Sequence, residues 1–201
     1  MQYEAQIKEF LVNNAIHLIA GGGFEKATTK ELAFYNSESL DFKMNEVYIY
    51  RCFGGKDYLY EAAFAMLDAE LSAAFRHGVK SVGGFENDPK EKLNQFFSKA
   101  WRFLLRNEDR CRYYVRYYYS IYFTGSSVET HNKLFENVVD MMDPLFQKEA
   151  DVSSILHSVF VAFLDFALRV FNKNIEDNEK SRLLIFNVLY GMMAPYFKEN
   201  Q

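Results

Sequence analysis

The chain has 201 residues, a formal net charge of −4 and 49% apolar residues, an ordinary globular composition that excludes disordered and fibrous classes. Its acidic balance argues against strong non-specific nucleic-acid binding by the chain as a whole. Aromatic residues reach 17%, and there are only three prolines. Few prolines permit long helices, and so many aromatics call for a bulky core, a large interface or an aromatic-lined cavity. Cys52 and Cys111 are too few for a disulfide framework or a four-ligand zinc site, so a reduced, cytoplasmic protein is expected. Met1-Gln2-Tyr3-Glu4 lacks the basic-then-apolar layout of a signal peptide. The most apolar stretches, 183–194 and 155–171, contain Asn187 and His157, Asp165 and Arg169 respectively. They read as buried helices and not as membrane spans.

Helical spacing recurs along the whole chain. Ile7, Leu11, Ala15 and Leu18 mark one face of a first helix that stops at Gly21-Gly22-Gly23. The glycine run follows a helix and lacks the pattern of a phosphate loop. Thr28-x-x-Glu31 is a capping box that opens a short second helix carrying Leu32 and Ala33. After the polar stretch Asn36–Ser39, a third helix is expected from Asn45 as N-cap to Gly54-Gly55. A fourth should run from about Lys56 to His77. Gly83-Gly84 and Asp88-Pro89 mark a seam, with Asp88 capping and Pro89 starting a fifth helix that carries Leu93, Phe96, Phe97, Trp101 and Leu104. A sixth opens at Asn107-Glu108-Asp109 and a seventh at the capping box Ser126-x-x-Glu129. Asp143-Pro144 kinks or restarts that helix. An eighth is expected over 151–172 and a ninth over 177–197.

The first helix ending in Gly23-Phe24 and the run Ala27-Thr28-Thr29-Lys30-Glu31-Leu32-Ala33 resemble the opening of a helix-turn-helix in the tetracycline-repressor (TetR) family. Residues 44–59, Met-Asn-Glu-Val-Tyr-Ile-Tyr-Arg-Cys-Phe-Gly-Gly-Lys-Asp-Tyr-Leu, resemble that family's recognition helix and the start of its fourth helix. The resemblance covers roughly residues 7–64. It implies an all-α homodimer with a three-helix DNA-binding domain over 1–56 and a six-helix ligand-binding and dimerisation bundle over 57–201. It also implies that Thr29, Tyr50 and Lys56, with Lys30 beside them, hold phosphates, and that Asn45, Glu46, Tyr48 and Arg51 face base edges. Three features depart from the family pattern. The turn between Ala33 and Met44 is longer, Val47 stands where a small residue is usual, and Cys52 replaces a tyrosine. From Met1 to Lys56, six basic residues face seven acidic ones, so this segment has no net attraction for DNA.

Cys111 to Phe123 contains six tyrosines. Tyr114, Tyr118 and Tyr122 are spaced i, i+4, i+8, with Phe97, Trp101 and Met141 as facing candidates. Two readings fit: the wall of an effector cavity, as in resembling proteins, or a packed core. Helices eight and nine are apolar nearly all round, which requires burial on every side. A homodimer contact through 151–172 and 177–197 satisfies that, as does a single bundle with helix eight at its centre. His17, His77, His131 and His157 make no metal or nucleophile pattern, and no dinucleotide or hydrolase motif is present. No enzymatic activity, metal or cofactor is expected, and Asp165 should pair with Arg169 at i, i+4. The expected function is a repressor, with double-stranded operator DNA and a small apolar or aromatic effector as partners. The alternative is a ligand-binding protein of the same fold without DNA binding.

Overall fold

The computed structural model describes residues 2–85 and 88–198, and those residues form nine α-helices and three short 3-10 turns. The chain divides into two compact units. One holds the residues up to Ala69 with Asp109–His131, and the other holds Glu70–Glu108 with the residues from Asn132 onward.

In the first unit, α1 (Gln2–Gly22), α2 (Thr29–Phe34) and α3 (Val47–Phe53) pack on one another. Ile7, Leu11, Ala15, Leu32 and Ile49 are buried in these helices; of the face expected on α1, Leu18 is only half-buried. Gly23 takes φ +81° and ends α1, with its N–H bonded to the Ile19 carbonyl at 2.9 Å. The Thr28 cap forms, its hydroxyl oxygen accepting from the Glu31 N–H at 3.1 Å. Asn14 does what no local pattern announces. Its buried amide donates to the carbonyls of Leu32 and Tyr35, each at 2.9 Å, and so satisfies the exposed end of α2 from a different helix. The long turn into α3 is itself anchored. Met44 is buried, and Phe42 packs edge-on against Tyr3 at 4.6 Å.

The unit is completed by the first part of α4 (Lys56–Ser81), by α6 (Glu108–Tyr118) and by the start of α7 (Ser126–Met142). The α4 helix outruns its expected end at His77. Phe64 stacks on both Tyr114 and Tyr117, at 4.9 and 4.6 Å. Two sequence expectations are corrected here. The α6 helix stops at Tyr118, so Tyr122 leaves the face it was expected to share with Tyr114 and Tyr118. The Ser120 hydroxyl donates to the Tyr117 carbonyl and accepts from the Tyr122 N–H, a local alternative to continuing the helix. Ser126 does not cap α7. Its hydroxyl donates to the Glu61 carboxylate on α4, a charged acceptor that outcompetes a backbone partner.

In the second unit, α5 (Pro89–Arg106) packs on α8 (Val152–Phe171) and α9 (Glu179–Met193), which also pack on each other. Asp88 caps α5 and Pro89 opens it, as expected. Phe97 stacks on Trp101 at 5.7 Å and meets Phe163 and Phe186. A cap absent from the sequence reading starts α9. Asn178 accepts from the Ser181 N–H, while Asp177 takes bonds from the Trp101 indole at 3.0 Å and from Arg182. The helix ends at Met193 and not at Phe197. The Asp165–Arg169 pair forms at 2.7 Å. On the far side of α4, a Cβ at Gly78 would meet the Phe96 ring at 2.7 Å, so only glycine lets α5 approach there.

Candidate nucleic-acid interface and effector region

The α3 helix begins at Val47 with Glu46, and not the expected Asn45, in the N-cap position; the Asn45 side-chain oxygen accepts from the Val47 N–H at 3.0 Å. Gly54, at φ +89°, closes it through a bond to the Tyr50 carbonyl. Between these stops the inner face supplies the buried Ile49, and the outer face exposes Val47, Tyr50 and Arg51 at i, i+3 and i+4. Lys30 on α2 and Lys56 at the start of α4 are also exposed.

The polar residues of this region have partners within the protein. The Thr29 hydroxyl donates to the Glu46 carboxylate at 2.7 Å, tying the start of α2 to the start of α3. Tyr48 lies with its hydroxyl 3.4 Å from that of Tyr3, and this contact raises the Tyr3 phenol above its ordinary pKa. On α1 the Lys8 ammonium pairs with Glu4 at 2.9 Å and holds that carboxyl below the usual range. Of the residues expected at base edges, Asn45 and Arg51 are exposed, and Glu46 and Tyr48 are half-buried. Asn45, Glu46 and Tyr48 also serve to fix α3 in place.

The expected effector contacts are divided between the two units. Tyr114, Tyr118 and Tyr122 belong to the first, and Phe97, Trp101 and Met141 to the second. The Tyr114 hydroxyl donates to the buried Asp68 carboxylate at 2.8 Å, and His131 Nδ1 lies 3.2 Å from both oxygens of the same group. Burial, followed by the Asp68 charge, pushes the Tyr114 phenol well above its ordinary pKa. Tyr118 has its pKa raised by burial and packs against Phe123 and His131. Tyr122 meets the rings of Phe24 and Tyr60.

Asp68, and its pairing with His131, escaped the sequence reading. Asp68 directly follows the apolar Leu67 and was legible only as a break in the α4 pattern. A second tie joins three helices through His17, which the sequence marks as a hydrogen-bonded structural residue. His17 on α1 bonds Asp109 on α6 at 2.7 Å through Nδ1, and the Tyr35 hydroxyl at the end of α2 at 2.7 Å through Nε2. The tyrosine ring also stacks on the imidazole at 4.9 Å.

Among the described residues, no group of three or more His, Cys, Asp and Glu side chains is placed to hold a metal ion. One described helix, α8, is long and apolar enough by composition to cross a membrane. Within the chain 17% of its most apolar window is buried, its remaining apolar residues are half-buried, and its exposed residues are polar.

No family model matches the chain, and no curated protein sequence matches it. Solved structures do. A TetR-family transcription regulator from Marinobacter aquaeolei VT8 superimposes with a TM-score of 0.73 at 16% identity, over 95% of this chain and 97% of that one. A TetR-like transcriptional regulator from Rhodococcus sp. RHA1 gives 0.65 at 17% identity, over 94% and 97%. FadR from Bacillus subtilis, in complex with stearoyl-CoA, gives 0.60 at 13% identity, over 90% and 96%. Over 94–95% of its length the chain has the fold of these TetR-family and TetR-like regulators.

Proposed function

We propose that the chain is a homodimeric, ligand-responsive transcriptional repressor that binds an operator through residues 1–56 and senses a small apolar or aromatic effector through residues 57–201. The observation that carries this reading is the outer face of α3. On a fold shared with transcription regulators, it presents Val47, Tyr50 and Arg51 together, with Thr29, Lys30 and Lys56 on the flanking helices. Thr29, Lys30, Tyr50 and Lys56 are assigned to phosphates. Arg51 is assigned to a guanine edge, and Asn45, Glu46 and Tyr48 to the adjoining bases.

Dimerisation is assigned to α8 and α9. Leu183, Leu184 and Val188 are exposed on α9, opposite the buried Ile185, Phe186, Leu189 and Met193. Gly191 lies on the exposed side with nothing within 4 Å of a built Cβ. A glycine inside a helix costs about 1 kcal/mol relative to alanine. No neighbour within the chain accounts for it, and close approach of a second α9 does. A twofold seam there also covers the apolar surface of α8 without lipid, in keeping with a cytoplasmic protein, and sets two copies of α3 for the two halves of an inverted repeat.

Effector contacts are assigned to Tyr114, Tyr118 and Tyr122 in the first unit and to Phe97, Trp101 and Met141 in the second. Ring faces with a few hydroxyls suit an apolar ligand, a class that includes the acyl chain of the stearoyl-CoA held by the B. subtilis FadR neighbour.

Selection of binding sites from random duplexes at low salt tests the reading. An enriched inverted repeat is expected. A folded dimer that enriches no sequence would instead be the ligand-binding module without DNA activity, a reading that the acidic balance of residues 1–56 favours.

A further inference from the structure

We infer that Val47 is a specificity-determining residue that reads the 5-methyl group of a thymine in the major groove. The inference rests on the DNA-binding reading above and adds to it a base and an atom. Val47 is the first residue of α3 and is 62% exposed, an unusual place for a branched apolar side chain that has little preference for helices.

Its neighbours explain why it becomes the reader. The Asn45 side chain is bonded to the Val47 N–H, the Glu46 carboxylate is held by Thr29, and Tyr48 leans toward Tyr3. Each polar side chain around the start of α3 thus has a bond to make inside the protein. The methyl groups of Val47 point outward on the same face as Tyr50 and Arg51, one turn further along.

A base pair offers side chains mostly hydrogen-bond donors and acceptors, which an isopropyl group cannot use. The exception on the major-groove edge is the thymine methyl, and apolar contact with it is a recognised means of discrimination. Arg51, one turn on, is placed to take a guanine O6/N7 edge close by. The face as a whole then selects thymine near guanine.

Deoxyuridine supplies the test, because it removes only the methyl group and keeps the pairing. The full chain is used to select an operator, and each thymine of that operator is then replaced in turn by deoxyuridine. At one thymine per half-site, the wild type should lose about threefold to tenfold in affinity. Val47→Ala should bind the unmodified operator about as weakly as the wild type binds the modified one, and should show no further loss on modification. Val47 is exposed, so Val47→Ala should match the wild type in helicity and in mass in solution. An operator whose thymines all tolerate deoxyuridine overturns the inference, as does an alanine variant that still discriminates. Failure to enrich any operator overturns the regulator reading itself and is thereby distinguished from failure of this assignment.

Discussion

Leu184→Ala is the most quantitative probe of the dimer seam. Leu184 is 63% exposed on the outer side of α9, so within one chain the substitution removes few contacts. Truncation to alanine deletes three carbons. At about 0.8 kcal/mol per buried methylene, scaled by the exposed share, this forfeits about 1.5 kcal/mol per protomer if a partner covers the side chain. In a twofold seam the loss counts twice, about 3 kcal/mol per dimer, which raises the dimer Kd by about 150-fold. Sedimentation equilibrium over a concentration series measures that Kd directly, and urea unfolding at high dilution reports the isolated chain. The expected result is a much weaker dimer and a chain stability within about 0.5 kcal/mol of the wild type. An unchanged Kd would place the seam elsewhere, and a large loss of chain stability would mean that Leu184 packs within its own unit.

Three further outcomes follow from the same geometry. Asn14→Ala leaves the buried Leu32 carbonyl and the part-buried Tyr35 carbonyl without their donor, and should cost about 2 kcal/mol in denaturant unfolding; a negligible change would show that the α2 end needs no cap. Arg182 and Trp101 hold the Asp177 carboxyl below its ordinary range, so the stability from this cluster is present above the unfolded pKa of about 3.9 and is lost as pH falls through the lower folded value. Melting temperatures taken from about pH 6 to pH 2 should therefore fall less steeply for Asp177→Asn than for the wild type, and parallel curves would contradict the assignment. Arg51→Ala should weaken binding to a selected operator by about 10-fold to 100-fold, with the dimer intact by sedimentation; loss of the dimer would mean that Arg51 is structural.

The sequence was most legible where structure is decided locally. Gly23 and Gly54 end helices through positive φ, Thr28 and Asp88 cap them, and Pro89 opens one, all as turn chemistry and spacing predict. Local rules failed where a partner distant in sequence offered a better bond. Ser126 gave up its capping role to Glu61, 65 residues away.

The same limit governs the site. The outer face of α3 and the local Asn45 bond follow from spacing and cap chemistry, but the contacts that tie Glu46 and Tyr48 inward depend on where α2 and α1 come to lie. The tyrosine stripe shows the converse. Its spacing was read correctly as far as Tyr118, and then Ser120 closed the helix before Tyr122. No periodicity could announce the Asp68–His131–Tyr114 cluster, because each member comes from a different helix.

The account turns on two chains reading one operator. Its most direct test is the mass, by sedimentation velocity, of the complex that the full chain forms on a selected duplex. Two chains on each inverted repeat, with an affinity that falls as salt rises, is the predicted result. A single chain per duplex, or binding indifferent to the spacing of the two half-sites, would contradict it.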